Sequence, residues 1–232
     1  MLELKNINAF YDKSHILHDV SFTVKEGEIV GLLGRNGVGK STTLKSIMGI
    51  VQPKAGSIQF NGKEGVGCKP YQMARLGIGY VPEDRRIFPT LSVRQNLLLG
   101  MKSRKKNTGW TIDRVYDSFP RLKDRDPYKA GNLSGGEQQM LTIGRTLMGD
   151  PTLILIDEPT EGLAPQVVET VVGVIEEIHR SGVSVLLVEQ SMDVVLDLAH
   201  SVLIMNKGEI VFRGTSDELR ASHEVVEKYL EV

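Results

Sequence analysis

The chain of 232 residues is long enough for one large α/β domain, or for a core that carries a smaller subdomain. Its 41% hydrophobic and 25% charged residues, with 28 Lys+Arg against 29 Asp+Glu, exclude a disordered chain and a strongly basic nucleic-acid binder. The single Cys68 excludes an intrachain disulfide and suits a reducing compartment; no stretch nears the roughly 20 apolar residues that span a bilayer, and Met1-Leu2-Glu3-Leu4-Lys5 lacks a signal-peptide core, so secretion and self-insertion are not expected.

Loose alternation of apolar and polar residues over 2–10 and again over 16–24, broken by Asp12-Lys13-Ser14, predicts two antiparallel strands joined by a turn. Residues 28–33 form a short apolar run that ends at a glycine-rich loop, after which Leu44, Ile47 and Met48 recur at helical spacing within 42–48. Residues 58–60 before Asn61-Gly62 predict a hairpin, and 77–81 a further strand that closes the first part near Pro82.

From Thr90 to about Asp150 the pattern becomes helical. Ser92 with Gln95 makes a capping box before Leu97-Leu98-Leu99, and Ile112, Val115, Tyr116 and Phe119 fit a second amphipathic helix. The polar segment 102–109 between them reads as a loop, its Lys102, Arg104, Lys105 and Lys106 as a solvated cluster rather than a nucleic-acid site. A strand pattern returns at 153–156. A helix bearing Val167, Val168, Val171, Val174, Ile175 and Ile178 then leads past Ser181-Gly182 to a strand at 183–188, which is a βαβ unit. Residues 201–205, the Asn206-Lys207-Gly208 turn and 210–212 predict a late hairpin, and Thr215 with Glu218 caps a last helix.

The string Gly34-Arg35-Asn36-Gly37-Val38-Gly39-Lys40-Ser41 has the spacing G-x-x-x-x-G-K-[ST] and falls between the predicted strand and helix. Glycines let successive backbone N–H groups surround phosphate oxygens, and the helix N-terminus adds positive potential. Lys40 suits the β/γ-phosphate charge and Ser41 a Mg²⁺ ion. Leu153-Ile154-Leu155-Ile156-Asp157-Glu158 is an aliphatic strand with two carboxylates at its C-terminal end, where open α/β sheets bind ligands. Asp157 suits Mg²⁺ through Ser41 or water, and Glu158 suits a general base for an attacking water, although acids also end strands without function. In Leu133-Ser134-Gly135-Gly136-Glu137, Ser134 and the two glycine N–H groups head a helix, which reads equally as a plain cap or as an anion site. His15, His18, His179, His200 and His223 show no metal-ligand spacing.

Taken in this order, the phosphate loop, the Leu-Ser-Gly-Gly signature and the aliphatic strand ending Asp-Glu resemble the ATP-binding cassette ATPases over nearly the whole chain. The resemblance implies an α/β P-loop core with a mostly parallel sheet, antiparallel strands at the start and an inserted helical subdomain. Residues 1–83 and 151–232 would form the core and about 84–150 the subdomain. It implies ATP and Mg²⁺ as ligands, with nucleotide contacts at Gly34, Asn36, Gly37, Val38, Gly39, Lys40, Ser41 and Thr42. Tyr11 falls where an aromatic ring stacks on adenine, with a core aromatic as the alternative. Ser134, Gly135, Gly136 and Glu137 would be presented to the nucleotide held by a second cassette.

Three positions depart from the common family pattern. Glu83 stands where a Gln near Mg²⁺ is usual, Gln190 where a His at the γ-phosphate is usual, and Ala164 where an Asp of the subunit-crossing loop is usual. Together with Val81-Pro82-Glu83-Asp84-Arg85-Arg86-Ile87-Phe88 and Leu187-Val188-Glu189-Gln190, these departures resemble the smaller ATPase of branched-chain amino-acid importers and, within the same subfamily, ATPases of urea or short-chain amide importers. Such a subunit would pair with a second ATPase, as a heterodimer or, in isolation, a homodimer. It would dock on permease subunits at the cytoplasmic face of the membrane and serve an extracytoplasmic solute-binding protein indirectly, without nucleic acid. A soluble cassette ATPase acting on DNA or ribosomes lacks its usual inserts here, and a small-molecule kinase would leave residues 133–137 unexplained.

Overall fold

The computed structural model describes residues 1–101 and 109–230. Alternation governs the first two strands. β1 (Leu2–Tyr11) buries Leu2, Leu4, Ile7 and Ala9, and β2 (Ser14–Val24) buries Leu17, Val20, Phe22 and Val24. They pair antiparallel with Tyr11 opposite Ser14, around Asp12 at φ 51°, a left-handed conformation that Asp tolerates. β3 (Ile29–Leu33) is buried at every residue, as a central parallel strand must be. It feeds the loop that opens α1 (Lys40–Ile47), which starts earlier than its apolar spacing announces.

β4 (Ala55–Phe60) and β5 (Lys63–Glu64) form the expected hairpin, with Asn61 and Gly62 both at positive φ. β4 also pairs with β1, giving a four-stranded antiparallel sheet ordered β2-β1-β4-β5. The next helix, α2 (Pro70–Leu76), was not foreseen, although its cap signals are present: Pro70 sits in the first turn, and the Gln72 side chain accepts from the Lys69 N–H at 2.8 Å. β6 (Ile78–Val81) follows.

The helical stretch comprises α3 (Val93–Leu99), α4 (Ile112–Ser118), α5 (Pro120–Asp124) and α6 (Gly135–Leu147). The Ser92–Gln95 capping box is closed in both directions, at 3.1 and 2.9 Å. Val93, Leu97, Val115, Phe119, Leu122 and Leu141 bind these helices into the core; α4 and α6 approach so closely that a Cβ at Gly144 would lie 2.8 Å from Val115. α5 was not anticipated, since a five-residue helix is too short to show a period. The basic cluster expected at Lys102, Arg104, Lys105 and Lys106 lies outside the described residues.

The chain then completes β7 (Leu153–Asp157), α7 (Pro165–Arg180), β8 (Ser184–Glu189), α8 (Met192–Leu198), β9 (Ser201–Asn206), β10 (Glu209–Thr215), α9 (Ser216–Ala221) and α10 (His223–Tyr229). The short α8 and α10 were also not foreseen. The second sheet is ordered β10-β9-β3-β8-β7-β6, parallel except for the β9–β10 hairpin. Its side chains separate strictly by period two. Ile154, Ile156, Val185, Leu187, Val202 and Ile204 face the helices, while Leu153, Leu155, Leu186, Val188, Leu203 and Met205 face α1 and the antiparallel sheet. Register places Leu33 opposite both Glu189 and Ile204, and Asp157 opposite Val188, so the segments after β3, β7 and β8 leave the sheet at one end.

A phosphate loop over a buried carboxylate cluster

After Leu33 the chain turns through Gly34, Gly37 and Gly39, the last two at φ 77° and 114°, which favour glycine. Gly34 has a second reason to lack a side chain, since a Cβ there would meet the Met205 carbonyl oxygen at 2.5 Å. The loop closes over Lys40, the first residue of α1 and 3% exposed. Lys40 Nζ donates to the carbonyls of Gly34 (2.7 Å) and Arg35 (3.0 Å) and pairs with Glu158 Oε1 at 3.1 Å. A buried ammonium is thus held by acceptors of its own loop and by one carboxylate.

At the next residue, Ser41 Oγ donates to Asp157 Oδ1 at 3.0 Å, and Tyr80 OH donates to Asp157 Oδ2 at 3.2 Å. Burial pushes the Asp157 carboxyl up to about 6; the Ser41 and Tyr80 hydrogen bonds oppose the shift, while the charges of Glu158 and Glu83 add to it. Burial and Asp157 likewise raise the Tyr80 phenol, so Tyr80 stays a donor. Glu158 leaves β7 in the left-handed region at φ 43°, its N–H bonded to the Val188 carbonyl at 2.9 Å. Its carboxylate lies between Lys40 on Oε1 and the Gln190 side-chain amide, which donates to Oε2 at 2.7 Å.

These groups border a cavity of about 400 Å³, lined among others by Tyr11, Asn36, Gly37, Gly39, Lys40, Ser41, Thr42, Glu83 and Glu158. Gly34, Val38, Asp157 and Gln190 are not part of that lining: Gly34 and Asp157 are buried, Val38 packs against the core, and Gln190 is exposed beside Glu158. Tyr11 is 45% exposed, which removes the core-aromatic alternative. Glu161, which sequence reasoning missed, also lines the cavity, and burial together with Glu158 and Glu83 raises its carboxyl. Crowded carboxylates that raise one another, beside a serine hydroxyl, are hard oxygen donors suited to Mg²⁺. Among the described residues no cluster of three or more His, Cys, Asp or Glu could hold a metal alone, so the fit is to an ion that also takes ligands from phosphate and water.

The signature residues lie elsewhere. Ser134 Oγ accepts from the Glu137 N–H at 3.3 Å, and Glu137 Oε2 accepts from the Ser134 N–H at 2.8 Å, a closed capping box on α6. Burial raises the Glu137 carboxyl, but its bonds to Ser134 and the nearby Arg125 outweigh this and hold it low. None of residues 134–137 lines the cavity. Arg85 donates to the Glu161 carbonyl at 2.8 Å, and its Nη1 lies 2.6 Å from where a Gly135 Cβ would sit. Ala164 precedes α7 without a side-chain cap, beside Pro165, which has no N–H to satisfy.

A glycine loop wrapped around the first turn of a helix, an aliphatic strand ending in Asp-Glu beneath it, and a parallel sheet carrying both define a P-loop nucleoside triphosphatase. Residues 17–161 match the ABC transporter family. The chain is 44% identical over 231 residues to the high-affinity branched-chain amino acid transport ATP-binding protein BraG of Pseudomonas aeruginosa, covering 99% of each chain. It is 36% identical to the probable branched-chain amino acid transport ATP-binding protein LivF of Archaeoglobus fulgidus, over 98% of this chain and 97% of that one. Among solved structures, the ATP-binding subunit of an ABC transporter superposes with a TM-score of 0.85 at 29% identity, covering 97% of this chain and 94% of that one. The chain belongs to the ABC transporter family as an ATP-binding cassette, an ATPase that powers membrane transport. No helix among the described residues is long and apolar enough to cross a membrane.

Proposed function

We propose that this chain is the smaller ATPase subunit of a branched-chain amino-acid importer, working at the cytoplasmic face of the membrane. The observation that carries the reading is 44% identity along 99% of both chains to a branched-chain transport ATPase. The same site chemistry in a urea or short-chain amide importer is the competing reading. Uptake of labelled leucine and of labelled urea in cells lacking the gene separates them: loss of leucine uptake alone is expected, and loss of urea or amide uptake with leucine intact would overturn the assignment.

In this reading the adenine stacks on the exposed Tyr11 ring, and the N–H groups of residues 36–42 surround the phosphates. Ser41 and Asp157, with Glu83 at the cavity rim, would hold Mg²⁺, which when bound neutralises phosphate charge. Lys40 turns from Glu158 toward the phosphates. That frees the Glu158 carboxylate to orient the attacking water and take its proton, while Gln190 keeps hold of Oε2. Lys40 and Glu158 neutralise each other where they pair, so the base becomes available as phosphate takes over its cation.

Ser134, Gly135, Gly136 and Glu137 roof the nucleotide of a second cassette, most simply a different ATPase subunit that supplies a His where this chain has Gln190. Closing with ATP and opening after hydrolysis then works on permease subunits. A groove of about 450 Å³ between core and helical subdomain, lined among others by Met48, Ala74, the exposed Phe88, Leu99 and Arg145, supports docking there. Residues 84–150 act as the moving helical subdomain between core segments 1–83 and 151–232, and the extracytoplasmic solute-binding protein acts through the permease.

A further inference from the structure

Glu189 has no part in the site as described so far, although it ends β8 beside Gln190 and is only 2% exposed. Burying a carboxylate is costly unless a cation or several donors satisfy it. Among the described residues no Lys, Arg or His pairs with it. Three donors meet it instead. Oε1 accepts from the Thr160 N–H at 3.1 Å and from Thr160 Oγ1 at 2.7 Å, and Oε2 accepts from the Gln190 N–H at 3.1 Å. Burial and the Glu158 charge raise the Glu189 carboxyl, and these three bonds pull against the rise.

Both donor residues flank Glu158. Thr160 lies two residues beyond it, in a turn that begins with Glu158 at φ 43° and also holds the Glu161 N–H to Glu158 carbonyl (3.3 Å), Leu163 N–H to Thr160 carbonyl (3.2 Å) and Arg85 to Glu161 carbonyl (2.8 Å) bonds. A left-handed non-glycine residue persists only where its surroundings hold it. Gln190 is the residue whose amide touches Glu158 Oε2. One buried carboxylate therefore secures the backbone that projects Glu158 and the backbone that projects its hydrogen-bond partner.

We propose that Glu189 is a positioning residue for hydrolysis, tying the Thr160 turn and Gln190 together so that the Glu158 carboxylate stays aimed at the water that attacks the γ-phosphate. The proposal rests on Glu158 as the residue that readies that water. Glu189→Gln keeps the shape and one acceptor but turns an amide NH₂ toward a donor. Thr160→Val removes one bond and leaves the carboxylate, while Thr160→Ser restores the hydroxyl.

The test measures steady-state ATP hydrolysis, affinity for a non-hydrolysable ATP analogue and thermal midpoint for the full chain in its transporter complex. Glu189→Gln is expected to lower kcat about tenfold or more with analogue affinity and KM within about twofold, since misplacing a reacting group by an ångström costs up to about a hundredfold. Thr160→Val is expected to lower kcat by a smaller factor and Thr160→Ser to recover it. The double variant should be no slower than Glu189→Gln alone, because both act on one linkage. Wild-type kcat in Glu189→Gln or Thr160→Val, or equal losses of kcat and nucleotide affinity, would overturn the proposal. If Glu189→Gln does not fold, the Thr160 pair decides by the same criteria. Glu158→Gln is measured alongside: a wild-type rate there sinks the assignment of the base, whereas its loss with Glu189→Gln and Thr160→Val unaffected sinks the Glu189 inference alone.

Discussion

The phosphate loop and the signature segment both combine glycines with a helix N-terminus, yet they are finished differently. The loop at residues 34–41 is backed by residues at the ends of two other strands: buried Asp157 under Ser41, buried Glu158 paired with Lys40, and the exposed Gln190 bonded to Glu158. The signature at residues 134–137 is completed by its own side chains, Ser134 and Glu137 capping each other, and it borders no part of the cavity beside the phosphate loop. The first region is a cavity built from residues of several separate segments; the second is a helix start closed by its own residues. Electrostatic tension is concentrated in the first, where Asp157 is raised to about 6 and Glu161 and Glu189 are raised as well.

The sharpest way to break the contrast is to remove the cation from the pocket. Lys40→Ala should cut phosphate release to below about a hundredth of wild type and, by stranding buried Glu158, cost about 3–5 kcal/mol in chemical denaturation. Adding Glu158→Gln should return most of that stability and none of the activity; a double variant as unstable as Lys40→Ala would show that the ion pair is not what holds this pocket. Glu158→Gln alone should retain ATP, slow hydrolysis about a hundredfold or more and double in mass with ATP by light scattering. An unchanged rate would mean that another residue prepares the water.

In the signature, Gly135→Val drives a side chain into the Arg85 guanidinium. It should abolish hydrolysis while leaving ATP binding by the same chain within about twofold, and a matching fall in ATP affinity would erase the distinction between cavity and helix start.

Asp157→Asn probes the tension itself. The folded carboxyl sits near 6 against an unfolded value of 3.8, so the folded state holds its proton more tightly, and stability is lost as pH rises through that interval. The variant should therefore be more stable than wild type by about 1–3 kcal/mol above pH 6, with the gain vanishing towards pH 4, read as urea midpoints across pH. A gain that grows on acidification would reverse the sign of the argument. The smallest effect is expected for Gln190→His, since either side chain offers a nitrogen donor. The basal rate should rise or stay unchanged, and a collapse to zero would assign the amide a role of its own.

Local order was legible where it is written contiguously. The capping boxes at Ser92 and Thr215, the helix start at Ser134, the Asn61-Gly62 hairpin and the antiparallel pairing of β1 and β2 all formed as read. Helices α2, α5, α8 and α10 did not announce themselves, because five to seven residues make less than two turns and leave no period to count. Within the site, the motif residues were legible because each motif is a run of neighbours. Tyr80, Glu161 and Glu189 were not, since a single polar residue at a strand end or in a turn carries no local mark of what it will face.

By itself, then, the order of residues determined the phosphate loop, the acidic strand end, the signature cap and the α/β class, all of which depend on spacings of a few residues. Only the tertiary structure decided that Lys40 rests on Glu158, that Ser41 meets Asp157 from 116 positions away, and that Glu189 fastens Thr160 and Gln190. The physical reason is strand register. Parallel pairing of β3, β7 and β8 brings distant carboxylates to one end of the sheet, and burial there forces each to find a donor or a cation.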